Sequence, residues 1–336
     1  MAAAMSNVLW IIIAVILFVG AFSARLIIRP GRAHIWSTPK ALGLAYEDVT
    51  FEAQDGVPLV GWFIPAETRG GERAPVVINV HGWPWCRMGT QANNLINDLP
   101  GSRPVHLMPF LKRLHDEGYS ILAPDIRNFG DSPNAGVVTG GWLERYDVLG
   151  ALDYLETRAD VDVNRVGVLG WSQGGTTLLF AGPHTDRIQA GIAVQPTTAN
   201  VFAVNYARSL MGPLSFVIQP LTQLFYSVAG GPSLSSIKPA LAAAGAQFPI
   251  LFIQGTGDRW GTRADVETMA SMAPYGSAIY PETSHRFEGY TWVLDHPEVC
   301  IDFFHKHLAA PASAPPAATT AARGASALVD APRASA

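Results

Sequence analysis

The chain has 336 residues and a formal net charge of −4 at pH 7, enough for one large domain with additions. Neither that charge nor any long basic run points to nucleic acid as a partner. The two cysteines, Cys86 and Cys300, are too few for a disulfide framework and lack metal-ligand spacing, so Cys86 reads as a buried small hydrophobe.

Residues 8–24 are apolar apart from Ser23, and residues 26–28 extend the run past Arg25. That length approaches the roughly 20 residues needed to cross a bilayer. Residues 1–7 contain no Lys or Arg, unlike the n-region of a signal peptide. A core helix would show a polar face, and this stretch has none. Residues 1–30 are therefore expected to form a single-pass membrane anchor. Arg25, Arg29, Arg32 and Lys40 follow it, so the positive-inside rule places the rest of the chain in the cytoplasm. Trp10 and Trp36 are candidates for the two interfaces.

Residues 31–308 alternate strand and helix signals. Residues 48–53 and 59–65 read as a hairpin around Gln54-Asp55-Gly56. Residues 75–80 form a buried strand ending at His81-Gly82. The spacing of Leu107, Phe110, Leu111 and Leu114 predicts a helix over 105–117, stopped by Gly118. A strand over 119–124 precedes a helix over 143–155, with Val148, Leu152 and Leu155 on one face. Strands follow at 165–169, 188–194, 250–254 and 276–280, with a closing helix over 299–308. Such alternation implies a mostly parallel sheet covered on both faces, with function gathered at the carboxyl ends of its strands.

One such end carries the chemistry. Gly170-Trp171-Ser172-Gln173-Gly174 fits G-x-S-x-G, a serine on a tight turn between a strand and a helix. The serine backbone is strained there, and the glycines spare its neighbours a collision with a Cβ. The helix expected over 174–181 follows, and Ser172 reads as a nucleophile. A hydroxyl needs a base, and the base an orienting acid. Asp258 follows the strand at 250–254, and His285 follows the last strand, giving the chain order Ser172, Asp258, His285. His115, His296, His305 and His307 fall on or near helices, and His184 has the look of a surface residue. Asp265, the nearest substitute acid, belongs to the next helix. The backbone N–H groups of Gln173 and Trp83 are the expected oxyanion donors, while His81 holds its loop by hydrogen bonds.

Three segments resemble the α/β-hydrolase superfamily: His81-Gly82-Trp83-Pro84, Asp125-Ile126-Arg127-Asn128-Phe129-Gly130-Asp131-Ser132 and Gly170-Trp171-Ser172-Gln173-Gly174. The run Asp162-Val163-Asn164-Arg165-Val166-Gly167 is similar to the dienelactone-hydrolase and prolyl-oligopeptidase-like branches. The resemblance implies an α/β-hydrolase fold and a serine hydrolase of esters, thioesters or amides that needs no metal or cofactor. It also implies a structural role for the Asp125–Ser132 loop. HG-x-P resembles the epoxide-hydrolase and dehalogenase branches as well, but those carry Asp where this chain has Ser172. Arg259-Trp260-Gly261 departs from the small or aliphatic residue and Pro that relatives tend to have after the acid.

An insert over residues 195–247, rich in apolar and aromatic side chains such as Phe202, Tyr206, Leu210 and Phe216, stands where the family keeps its cap. It reads as a helical cap packed on the core or, more sharply, as an acyl tunnel or membrane-facing lid. Trp85, Trp171 and Trp260 are candidate substrate-binding residues beside Trp83. Residues 309–336, composed mostly of Ala, Pro, Ser and Thr, are expected to be a disordered tail. The expected function is cleavage of an apolar acyl ester or lipid-like small molecule by Ser172, His285 and Asp258. The alternatives are a membrane-tethered binding protein without catalysis, or an acyltransferase or peptidase using the same three residues.

Overall fold

A computed structural model describes residues 2–68, 71–93 and 100–309. The tail expected over 309–336 lies outside the described residues from 310 onward. The chain opens with helix α1, Ala2–Ile28. Strands β1 (Glu47–Glu52), β2 (Pro58–Ile64) and β3 (Ala74–Val80) follow. A small ribbon then pairs β4 (Gly89–Thr90) with β5 (Val105–His106) ahead of α2 (Met108–Asp116). Next come β6 (Ser120–Pro124), α3 (Arg145–Glu156), β7 (Val161–Trp171), α4 (Gln173–Ala181) and β8 (Ile188–Val194). The insert contributes α5 (Ala199–Met211), α6 (Ser215–Val228) and α7 (Pro239–Ala243). The chain closes with β9 (Ile250–Ile253), α8 (Arg263–Met272), β10 (Gly276–Ile279), α9 (Arg286–Asp295) and α10 (Pro297–His307).

Eight strands form one sheet in the order β1-β2-β6-β3-β7-β8-β9-β10. The hairpin edge is antiparallel, and every pairing from β6 to β10 is parallel. The pleat divides each central strand between two cores. Val76, Ile78 and Val80 of β3 join one, and Val77 joins the other. Each fully buried aliphatic side chain contributes roughly 1.5–3 kcal/mol, so a one-residue register slip would expose a whole row.

The helix expected over 105–117 starts later, at Met108. A start at residue 105 would put Pro109 in the helix interior, its ring against the carbonyl of Val105. Instead Val105 pairs with Thr90, and Pro109 sits in the first turn, where its missing N–H costs nothing.

Helix α1 does not project freely from the domain. It lies along α6, and a Cβ on Gly20 would come 2.7 Å from the Cβ of Leu221. Ala24, one turn on, is 1% exposed. This small-residue seam is how apolar helices approach closely. Beyond it, Arg29 donates to the Asn128 side chain and the Gly136 carbonyl, and Arg32 to the carbonyls of Gly130 and Ser132. Trp36, a candidate interface residue, instead packs on the domain with its ring centroid 5.6 Å from that of His106.

Candidate active site

Ser172 follows the last residue of β7 with φ 51° and ψ −113° and leads straight into α4. A side chain rarely adopts such a conformation, and only over-determined surroundings keep it there. Those surroundings are backbone. A Cβ on Gly170 would strike the carbonyl of Gly174, and one on Gly174 would strike the carbonyls of Val80 and His81. Gly82 brings the loop after β3 to the serine itself, since a Cβ there would lie 3.0 Å from the Cβ of Ser172.

That loop is held by polar groups behind it. His81 Nδ1 lies 2.9 Å from the Gly82 carbonyl, and its Nε2 accepts from Ile126 N at 3.2 Å. Burial, opposed by the Asp125 charge, lowers the His81 pKa, as suits a neutral ring with one donor and one acceptor nitrogen. Asp125 accepts from the backbone N–H groups of Arg87 and Asp131 and from the Arg87 guanidinium. The Asp125–Ser132 segment is thus a brace, with Ser132 Oγ donating to the Asp125 carbonyl at 2.6 Å.

The acid side differs from expectation. Asp258, 5% exposed, accepts from the N–H groups of Trp260 (2.9 Å) and Gly261 (3.1 Å) and from Gln254 Nε2 (3.2 Å). Its remaining partner is Arg286, whose other guanidinium nitrogen donates to Ser172 Oγ at 3.0 Å and to the Gln195 carbonyl at 2.9 Å. Burial alone would lower the Arg286 pKa, but the Asp258 charge, with Tyr290 beside it, holds it above its ordinary value. Arg286, not His285, bridges acid and serine in this structure.

His285 stands at the N-cap of α9. Its Nδ1 accepts from Phe287 N at 3.1 Å and Glu288 N at 3.4 Å, and its Nε2 lies 3.2 Å from Glu288 Oε1. Glu288, its pKa lowered by the backbone and hydroxyl of Ser284, caps the same turn from outside. The imidazole satisfies helix N–H groups that would otherwise lack a partner, and its contacts are with α9 rather than with Ser172 or Asp258.

Above Ser172 lies a cavity of about 440 Å3. Trp83, Trp85 and Gln173 line it, as do Phe202 and Tyr206 of α5 and Phe22, Ser23, Leu26 and Ile27 of α1. Gln173 Nε2, Trp83 Nε1 and the Tyr206 hydroxyl are buried without a hydrogen-bond partner among the described residues. Trp171 does not reach this cavity. Its ring is wholly buried under the elbow, donating to Asn79 Oδ1 at 2.8 Å. Trp260 stacks edge-on against Tyr206 at 4.8 Å and borders a second cavity of about 330 Å3, shared with Arg103, Arg259, Ser284, His285 and Arg286.

Sequence reasoning missed Arg286 and Gln195. Gln195 carries φ 48°, accepts from Gly255 N at 3.2 Å and donates to the Arg286 carbonyl. Its signal was a polar residue closing the apolar strand 188–194. Arg286 gave none beyond its place next to His285.

The sheet order, the strained serine after β7 and the acid after β9 together define an α/β-hydrolase fold. Comparison with known proteins agrees. The family described as the alpha/beta hydrolase fold matches residues 75–217, and the chain has the α/β-hydrolase fold. It is 26% identical over 246 residues to the uncharacterized protein YfhR of Salmonella typhimurium, covering 71% of this chain and 74% of that one. Among solved structures, the Pyrococcus furiosus esterase Pf2001 superposes with a TM-score of 0.64 at 20% identity, covering 84% of this chain and all of that one. The acylaminoacyl peptidase of Pyrococcus horikoshii does so with 0.56 at 16% identity, covering 78% of this chain and 42% of that one.

Proposed function

We propose that the protein is a serine hydrolase cleaving an ester or thioester of an apolar acyl group, with Ser172 as nucleophile. The observation that carries this reading is the strained Ser172, 9% exposed, with Gly82 against it at the floor of a largely apolar cavity. The N–H groups of Gln173 and Trp83 receive the oxyanion, and Asp258 orients the base. In this reading His285 is that base. Arginine stays cationic and cannot accept the serine proton, so His285 has to leave its N-cap and displace Arg286 from between Asp258 and Ser172. The serine oxygen then attacks the acyl carbonyl while the imidazole takes its proton and returns it to the leaving group. Water, deprotonated by the same imidazole, releases the acid and restores Ser172. Residues 1–30 serve as a single-pass anchor, with the catalytic domain on the cytoplasmic side. Digestion of that domain by protease added to the non-cytoplasmic side of sealed vesicles would overturn the orientation.

A second reading, a membrane-tethered binding protein without catalysis, is favoured by one observation: Arg286 already neutralises Asp258 and occupies Ser172 Oγ. Treating the full chain in detergent with a fluorophosphonate probe, followed by p-nitrophenyl esters of graded length, separates the two. Labelling and turnover that disappear in Ser172→Ala support the hydrolase. A folded chain that neither labels nor turns over any ester supports the binding protein.

A further inference from the structure

Helix α1 has a second role beyond a tether. Its last two turns, from Phe22 to Ile27, form one wall of the cavity above Ser172, and α5 forms the facing wall through Phe202, Ala203 and Tyr206. The cavity is therefore incomplete without the apolar N-terminal helix. Earlier in α1, Leu9, Trp10 and Phe18 are 57%, 65% and 68% exposed. On the cap, Phe216 and Val228 are exposed as well, at 70% and 78%. Exposed apolar surface of this kind marks a membrane or partner contact. Phe22, half exposed, is the first residue of α1 to line the cavity.

We propose that α1 is a wall of the ligand site and that its occupant is the acyl chain of a bilayer lipid, admitted sideways from the hydrocarbon between α1 and α5. A chain taking that route passes from one apolar environment to another and never exposes its methylenes to water. The lining from Phe22 to Ile27 spans about 7.5 Å of helix, at the end of the apolar run, so a lipid rises by only part of its length to reach Ser172. The inner end supplies what an ester needs. Gln173 Nε2, Trp83 Nε1 and the Tyr206 hydroxyl are donors with no partner among the described residues. The second cavity, sharing Arg286 and Phe287 with the first and bordered by Arg103 and Arg259, takes the polar head. Only the fate of the ester rests on the hydrolase reading.

The test uses the full chain in phosphatidylcholine vesicles doped with phosphatidylcholine bearing a photoreactive diazirine, placed either at the acyl chain end or on the headgroup. With the ester at the inner end beside Tyr206, the chain-end probe is expected to label α5 further along the cavity, at Leu210 and Met211, and the headgroup probe is not. Ser23→Trp on one wall and Ala203→Trp on the other should each cut α5 labelling at least fivefold, whereas Ile12→Trp, on the exposed run of α1, should not. Chain-end labelling confined to residues 8–18 in the wild type overturns the proposal whether or not the tryptophan variants fold, as does α5 labelling that both cavity substitutions leave intact. Labelling of α5 without turnover of any ester removes the hydrolase reading and leaves this one standing. Ester turnover without α5 labelling overturns this one alone.

Discussion

The two sides of the site are built by different means. The elbow side is fixed by backbone, with Gly170, Gly174 and Gly82 each in a space that a Cβ would invade, so Ser172 has one available position. The relay side is fixed by which of two adjacent side chains turns inward. His285 caps α9 and Arg286 enters the core, and rotation of a single helix turn would exchange them. The serine side of the site is thus set by backbone, and the acid side by the orientation of two neighbouring side chains.

The strongest way to break this comparison is Ser172→Ala, expected to lower ester turnover by at least about 10^4-fold with thermal unfolding unchanged. Unaltered turnover would make the elbow an ornament. On the relay side, Arg286→Met leaves the Asp258 carboxylate buried without its cation and should cost about 3–5 kcal/mol of stability by denaturant unfolding. Its fluorophosphonate labelling rate should nevertheless rise, because His285 no longer competes with a guanidinium. A stable Arg286→Met protein that labels no faster than wild type would show that Arg286 is not the obstacle. Gly82→Ala tests the rigid side, where the new methyl has to push on Ser172. The expected loss is about tenfold in kcat/KM, near 1.4 kcal/mol, with KM for short esters little changed. The smallest effect belongs to Glu288→Gln. Hydrogen bonds from Ser284 keep Glu288 ionised through the neutral range, so its hold on His285 persists there and is lost only as pH falls through its lowered pKa. Removing the charge should raise neutral-pH turnover by no more than about twofold, because a ring whose Nδ1 accepts two N–H groups is neutral and its contact with Glu288 is weaker than an exposed ion pair. The gain should vanish in acid, where the wild-type carboxyl is protonated too.

Much of the fold was legible because it depends on local signals. The strand at 188–194 was read to the residue as β8, and the apolar runs ending at His81 and Pro124 lie in the sheet as β3 and β6. The elbow could be read because its glycines and serine are consecutive. The relay could not, because chain order puts His285 near Asp258 but does not say which way a side chain at a helix N-cap points. Trp171 was misjudged for a related reason. Strand alternation sends it to the face opposite its neighbour Ser172, where its indole meets Asn79. The part played by α1 in the cavity lay furthest from reach, since nothing in a linear reading brings residues 22–27 to residue 172.

Arg29 and Arg32 carry one more consequence. Their bonds to residues 128–136 leave no slack between α1 and the domain. A flexible tether lets its cargo sweep a radius of about 5–6 Å times the square root of its length; this chain has no such swing. If α1 stands in a bilayer, Ser172 is held at one altitude and one compass bearing above it. Selection among lipids would then follow the depth of the bond to be cut, as a plane iron takes only what rises to its blade.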